Sequence, residues 1–536
     1  MNFKLNNYQI NRCLLIMLVP LLFSCEKIFH EDDEYLVLDN YHEKIDMVNG
    51  IYANLVKIHN QNYFALFCRG DDINAYYRNS AFGENCPRGN PPDYNLIIGN
   101  IYKYLYTAIM NANSLILQAS EGENPELLGE TYFLRAYCYF KLARFFGRPP
   151  LVKDIDVNYN IKKPGYREVY EFIESDLLKA LELLPATYTG CRVLNETPHK
   201  GSAKALLAEV YLSMAGYPVG DSAKYRQAAL LAGEVIENSG YYGISLMDDF
   251  AGLWREEYRH NPENIIGLFF NINEERPRVK PSSVDWYDVQ TTKNTFFSRG
   301  NYNLAAFKYF KTFPENYRKL VSMTTGRYIY RDFPMLDTNN RILYFYEYDL
   351  FADRCGYIGH FQVLKWIDQT EFENRYDFSY DIRQGRLLNY PYSNRYGEVY
   401  NTIYLLRYAQ TLLTYAEAKG RLGEPDEPAY RAVNMIRRRA NRLDINSPSP
   451  YDLQPGLTAA QFTDSVVWER AWELFYEPDG RWFDIVRLDL KDKLPENTDS
   501  LDIPTVIDDI FLTNDWYFYK IPQEDRWLNP NLEYDE

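Results

Sequence analysis

The sequence is short of the side chains and spacings that most enzymes rely on. It has 6 His in 536 residues and no GxSxG, Walker, GxGxxG or HExxH pattern. Nucleophile-elbow hydrolysis, phosphate-loop chemistry, dinucleotide binding and zinc peptidase chemistry therefore have no sequence support. Paired carboxylates can hydrolyse glycosides, but among 74 Asp and Glu such pairs arise by chance. Basic charge is scarce too. With 58 Lys and Arg the net charge is −16, the wrong sign for a nucleic-acid binder or for docking on anionic lipid by charge. The 7 cysteines show no CxxC and no Cys/His spacing of a metal site. The expectation is a binding protein rather than a catalyst, with no cofactor, no metal and no nucleic acid. The N-terminal apolar run, Cys13 to Phe23, is interrupted by Pro20 and falls short of the about 20 residues that a membrane-spanning helix needs.

That run has the layout of a secretory signal peptide instead. Lys4 and Arg12 precede it without any acid, and it ends Leu22-Phe23-Ser24-Cys25, which resembles a bacterial lipobox. The resemblance implies a lipid on the Cys25 thiol, cleavage before it and acylation of the freed amine. Several acyl chains give stable anchoring, since burial contributes about 0.8 kcal/mol per CH₂ and one chain holds only marginally. A soluble secreted protein with an incidental cysteine is the plainer alternative. The expected organisation starts with a signal peptide at 1–24 and a lipid-anchored acidic tether at 25–40, which carries Glu26, Glu31, Asp32, Asp33 and Glu34. Beyond it remain Cys68, Cys86, Cys138, Cys191 and Cys355, an odd number. Cys68–Cys86 is a candidate disulfide, and buried inert thiols are the other reading.

Tyrosine is what the chain has in excess, with 49 residues. Its flat apolar face and hydroxyl suit both sugar stacking and helix packing. Apolar residues at spacings of three and four mark a series of helices. One stripe runs Ile45, Val48, Ile51, Leu55 and Ile58; others run Leu105, Ile109, Ala112 and Ile116, then Phe133, Ala136, Phe140 and Ala143, then Val169, Ile173, Leu177, Ala180 and Leu184. The segments from His199 to Gly216 and from Tyr225 to Gly240 carry Ala203, Ala208, Ala228 and Ala232, where paired helices can approach closely. This rhythm is similar to tetratricopeptide repeats. The predicted fold is all-α dominant, a tetratricopeptide-like scaffold of helical pairs with an irregular, loop-rich region. Residues 41–260 form its N-terminal helical part and 261–536 its C-terminal part, with an irregular insert at 261–400 that opens on a strand-like "NIIGLFFNI". Helicity returns as a pair over Tyr404 to Arg442 and in "TAAQFTDSVVWERAWELFYE". Between the first two helices, Cys68 to Asn95 is rich in Gly, Pro, Asn and Asp, a loop long enough to be functional.

Five stretches in order carry a family resemblance: "GETYFLRAYCYFKLARFFGRPPLV", "KGSAKALLAEVYL", "LLRYAQTLLTYAEAKGRLG" with "AVNMIRRRA", "VVWERAWELFYEPDGRWFDIVR" and "FYKIPQEDRWLNPNL". Together they resemble the SusD/RagB family of outer-membrane nutrient-binding lipoproteins. The resemblance implies a cell-surface protein of the outer membrane that captures an oligosaccharide and passes it to a SusC-like TonB-dependent transporter. It also implies that the acids after Cys25 signal surface export. A peptide ligand, as in the RagB branch, is the alternative within the family; a surface glycan hydrolase is the alternative from another class. The motif residues Glu417, Arg437, Arg439, Glu469, Glu473, Arg481, Asp484 and Arg487 are charges inside apolar helices. They are expected as Arg–carboxylate pairs that lock helices together, because buried charge is tolerated only when paired. No family motif marks the ligand site. Aromatic platforms beside charged groups point to Asp71, Asp72, Tyr76, Tyr77 and Arg78 in the early loop and to Trp286 and Tyr287 in the middle region.

Replacing Cys25 with Ala is expected to abolish incorporation of an alkyne fatty acid and to release the protein from the outer-membrane fraction. Equal labelling of variant and wild type would refute the lipidation reading.

Overall fold

The apolar stripes fold as helices. The computed structural model describes residues 41–59, 70–75, 96–119, 124–156, 158–188, 195–255, 258–269, 303–305, 307–323, 361–362, 380–381, 386–387, 402–478, 480–493 and 517–533. The chain divides into two compact units, Met1–Asp46 and Met47–Glu536, and of the first only the opening of helix α1 (Tyr41–His59) is described. Cys25 and the acidic tether lie outside the described residues, as do Cys68, Cys86, Cys191 and Cys355.

In the second unit α1 buries Val48, Ile51, Leu55 and Ile58 at 3% exposure or less. Helices α2 (Leu96–Gln118), α3 (Pro125–Phe146), α4 (Tyr166–Leu183), α5 (Lys200–Ala215) and α6 (Lys224–Glu237) follow, each packed on the one before it. Helix α3 is buried nearly all round, and its Arg135 ties three helices together. The guanidinium donates to both oxygens of Asp176 on α4, at 2.8 and 2.7 Å, and to Asn113 Oδ1 on α2 at 2.7 Å. The helix stops at Gly147, which has φ +71 and whose missing Cβ would run into the rings of Phe518 and Tyr166. Only glycine combines that conformation with that closeness. Ala203, Ala208, Ala228 and Ala232 are all fully buried, which is the close α5–α6 approach expected from their spacing. Cys138 on α3 is a buried free thiol, pushed up to about 12 by burial.

Short strands join the two halves of the chain. Strand β1 (Ile73–Ala75) pairs antiparallel with β3 (Asn303–Ala305), which pairs with β4 (Phe361–Gln362). Strand β2 (Asn264–Leu268) pairs antiparallel with β7 (Ile403–Arg407), and a small hairpin joins β5 (Tyr380–Asp381) to β6 (Arg386–Leu387). Here the structure corrects one expectation: the helical pair does not begin at Tyr404. Residues 403–407 form a strand buried at every position, and the helix starts at Tyr408. A short run that is apolar on both faces has no periodicity to separate strand from helix. The remaining helices are α7 (Phe307–Thr312), α8 (Tyr317–Ser322), α9 (Tyr408–Arg421), α10 (Glu427–Ala440), α11 (Ala459–Glu473), α12 (Arg481–Arg487) and α13 (Gln523–Leu528). Helix α9 is the hub: it packs on α5, α6, α10 and α11. Among the described residues no helix is long and apolar enough to cross a membrane.

The N-cap of α5 makes the fold sensitive to acid. Fully buried His199 accepts the Gly201 N–H through Nδ1 at 3.1 Å, and its Nε2 has no hydrogen-bond partner. Burial lowers its pKa from 6.5 to about 4. Between those values only the unfolded chain takes up the proton. The contribution is therefore complete above pH 6.5 and is lost as pH falls to about 4, by about 3 kcal/mol in all. Asp525 works in the opposite sense, since burial and the neighbouring Glu524 raise it from 3.8 to about 6, so the raw slope mixes the two. Urea unfolding of wild type and His199→Asn at pH 7 and pH 5 separates them. Asparagine keeps an N-cap acceptor, and the variant is expected to lose less stability on acidification. Equal losses in both proteins would show that His199 does not carry the effect.

Candidate ligand face and the charge lattice beneath it

Charges inside apolar helices have to find one another, and here they form two clusters. The first is centred on Arg407, the last residue of β7. Its guanidinium donates to Glu477 Oε2 and Oε1 at 2.7 and 2.8 Å, to Glu263 Oε1 at 2.8 Å, to Glu473 Oε1 at 2.6 Å and to the Glu473 carbonyl at 2.8 Å. Arg439 on α10 joins the same Glu263 and Glu473, the latter at 2.6 Å. Arg318 on α8 contacts Glu473 at 2.9 Å and Glu469 at 2.7 Å, and Arg437 reaches Glu469 at 3.0 Å. The second cluster lies along α11 and α12. Arg470 pairs with Glu209 of α5 and with Asp484 at 3.1 Å. Arg487 pairs with both oxygens of Glu417 on α9 at 2.6 Å and with Asp484 at 2.8 Å.

At Arg407 and Glu417 burial opposes the charge, and the partners overcome it. Desolvation lowers the Arg407 pKa, yet Glu477 and Glu473 leave it well above the ordinary guanidinium value. Glu417 is pushed up by burial and pulled down further by Arg487, so it stays below the ordinary carboxylate range. In both clusters the arginines and carboxylates are held on fixed partners. Such an arrangement braces helices. It offers neither a carboxyl poised to give a proton nor an accessible nucleophile. Among the described residues no group of His, Cys, Asp and Glu could hold a metal ion.

A third pair joins α12 to the start of the early loop. Arg481, the first residue of α12, donates through Nε and Nη2 to the two oxygens of Asp71 at 2.8 and 2.9 Å. Asp484 lies three residues further along the same helix. It is taken by Arg470 and Arg487, and Arg481 reaches the early loop 410 residues away. Asp71 and Asp72 are 2% and 3% exposed, so both are buried rather than displayed to solvent. Strand β1 starts directly after them and enters the three-stranded sheet with β3 and β4. The early loop and the middle region, chosen separately from the sequence, thus share one sheet. Tyr76, Tyr77, Arg78, Trp286 and Tyr287 lie outside the described residues.

An aromatic ladder on α11, unmarked in the sequence analysis, lies beside Arg481. Trp468 and Trp472 stack one turn apart on α11 at 5.9 Å, Phe313 follows at 6.3 Å from Trp472, and the Arg481 guanidinium lies 4.9 Å from the Trp468 ring. The i,i+4 tryptophan spacing, in a chain with 8 Trp, was the available signal.

A family model described as "Starch-binding associating with outer membrane" matches residues 32–212, and one described as "SusD family" matches residues 365–534. The chain belongs to the SusD/RagB family. A SusD-like protein of Formosa agariphila is 27% identical over 74% of this chain and 73% of its own length. A second from the same organism is 24% identical over 90% and 92%. Among solved structures, a SusD homolog from Bacteroides thetaiotaomicron aligns with a TM-score of 0.71 at 23% identity, covering 92% of this chain and 96% of that one. A structure described as a laminarin-binding SusD-like protein aligns with a TM-score of 0.63 at 19% identity over 92% and 98%. The helix-dominated, tetratricopeptide-like fold is the SusD fold. The charged motif residues that carried the family resemblance form the lattice described above. Directly before Arg481, a Cβ on Gly480 would sit 2.6 Å from the Leu474 carbonyl oxygen, so glycine fits there for a packing reason.

Arg407→Leu leaves Glu263, Glu473 and Glu477 buried without their shared cation. It is expected to destabilise the fold by about 3–5 kcal/mol. Arg226→Ala removes a pair at 3.7 Å whose arginine side chain is 71% exposed and is expected to cost under about 1 kcal/mol. Comparable urea midpoints for the two variants would contradict the lattice's structural role.

Proposed function

We propose that this SusD-family protein is a lipid-anchored binding protein of the outer-membrane surface that captures an oligosaccharide and hands it to a SusC-like TonB-dependent transporter. The observation that carries the reading is the β1–β3–β4 sheet, which pairs a strand of the early loop with strands of the middle region. Support for a glycan comes from the starch-binding description of the family model and from the laminarin-binding neighbour. Tyr76, Tyr77, Trp286 and Tyr287 are the proposed stacking residues and Arg78 the proposed hydrogen-bonding group. Asp71 and Asp72, expected from the sequence among the ligand groups, are 2% and 3% exposed, and a supporting role is proposed for them instead. Cys25 is the proposed anchor, and the reading includes no catalytic step.

Binding is tested by titrating the soluble protein, truncated after the tether, against laminarin, starch fragments, other neutral oligosaccharides and a peptide panel, with product analysis to detect turnover. Tyr77→Ala and Trp286→Ala are each expected to weaken the selected oligosaccharide about five- to 150-fold, the range that stacking contributions of about 1–3 kcal/mol imply. The melting temperature should stay within about 1–2 °C, because surface changes of about 0.5 kcal/mol or less shift it little. Wild-type affinity in both variants would overturn the site assignment. Binding of peptides alone would move the chain to the peptide branch, and released sugar products would overturn the non-enzymatic reading.

A further inference from the structure

The Arg481–Asp71 pair differs from the other buried ion pairs in what it joins. The two clusters above knit scaffold elements to one another, and most of their arginines serve two or more carboxylates. The two Arg481–carboxylate hydrogen bonds both go to Asp71, on a segment outside the helical scaffold. The guanidinium is held from one side by the Trp468 ring and is 3% exposed. Asp71 is followed after one residue by β1, whose register with β3 is Ile73↔Ala305, Asn74↔Leu304 and Ala75↔Asn303. The root is tight: a Cβ on Gly70 would lie 2.5 Å from an Asp72 oxygen and 3.4 Å from Ile485 on α12. A three-residue strand pair has too few hydrogen bonds to fix its own position, since strands that short are marginal alone. A bidentate, buried guanidinium–carboxylate contact supplies direction as well as attraction.

We propose that Arg481 and Asp71 are positioning residues for ligand binding: a buried latch that sets where β1 enters the sheet with β3 and β4. Neither side chain touches the ligand. Affinity for the ligand depends on the latch because an open latch leaves the β1–β3 pairing unassembled, and part of the binding energy is then used to reassemble it. The affinity consequence rests on the glycan-binding reading above. The latch itself rests on geometry alone.

The experiment compares wild type, Asp71→Asn, Asp71→Glu and the double variant Asp71→Asn/Arg481→Met. Amide hydrogen exchange is read at residues 70–75 and 303–305, with α5 as internal control, alongside affinity for the tightest-binding oligosaccharide of the panel. Asp71→Asn is expected to speed exchange at 70–75 and 303–305 by at least about tenfold, because a broken buried pair is strongly unfavourable, and to weaken binding by a similar factor. Asp71→Glu, which keeps the carboxylate, should recover part of both. The double variant removes the stranded charge, so its melting temperature should approach that of wild type while exchange at the two strands stays fast and binding stays weak. A merely structural pair would give the opposite result: restored melting together with restored exchange and affinity. Wild-type exchange at 70–75 and 303–305 in the double variant would overturn the latch, as would acceleration no greater than in α5. If no oligosaccharide binds wild type, the glycan reading fails while the exchange result still decides the latch.

Discussion

Arg407 is the contact on which the C-terminal half depends. It sits where β7 becomes α9, and its planar fork meets three glutamates that arrive from three other places in the chain. Glu263 precedes β2, Glu473 ends α11 and Glu477 lies in the turn after it. A lysine at the same point could serve as a charge but could not satisfy three carboxylates in fixed directions. Because Glu473 also receives Arg439 and Arg318, moving any one of these elements would strand a charge on another. The energetic meaning of such a lattice lies in what it forbids. Replaced whole by apolar side chains it could be neutral in stability; broken at one point it leaves an uncompensated charge in a dry interior. The lattice selects one arrangement of β2, β7, α8, α10 and α11 over its neighbours.

The N-terminal half uses a milder version of the same device. Arg135 gathers α2, α3 and α4 through Asn113 and Asp176, and tyrosine hydroxyls do much of the remaining polar work. Tyr139 both donates to and accepts from Val152, Tyr106 donates to the Pro150 carbonyl, and Tyr52 reaches Glu130. This accounts for part of the tyrosine excess without any ligand. A tyrosine buries a ring against a helix and still satisfies a backbone carbonyl at the end of a loop, which phenylalanine cannot do. Alanines at the α5–α6 and α9 contacts let helices come close, and the aromatic rings fill the wider gaps beside them. Gly233, under the Tyr415 ring, shows both habits in one contact.

The helices could be read from the chain because their cause is local: a stripe of apolar residues at 3.6-residue spacing. The motif charges could be read as a class because an ion inside an apolar stripe needs a partner wherever it lies. Their pairing could not. Asp484 is three residues from Arg481 and was the natural choice, yet it lies between Arg470 and Arg487, and Arg481 spans 410 residues to Asp71. Strand β7 was hidden for a different reason, since burial on both faces erased the alternation that marks a strand. The ligand region stands between these cases. Its composition singled out the early loop and the middle region, but only the pairing of β1 with β3 joins the two, and strand pairing between segments more than two hundred residues apart leaves no local trace.

The same contrast separates what supports from what recognises. The scaffold's charges are consumed: four guanidinium groups around Glu263, Glu469, Glu473 and Glu477, and further arginines on Glu209, Glu417, Asp484 and Asp71, leave little uncompensated charge within the buried lattice. The surplus behind the net −16 therefore lies outside it. A net charge of that sign gives no long-range attraction to polyanions. Recognition then has to come from short-range contacts, flat aromatic faces and directed hydrogen bonds, which are sensitive to position at the ångström level. A loop bearing such groups gains from being held at its root by a directional bond to a rigid helix. Arg481 belongs to the scaffold by sequence and to the ligand face by partner, and in the fold it is where the two meet.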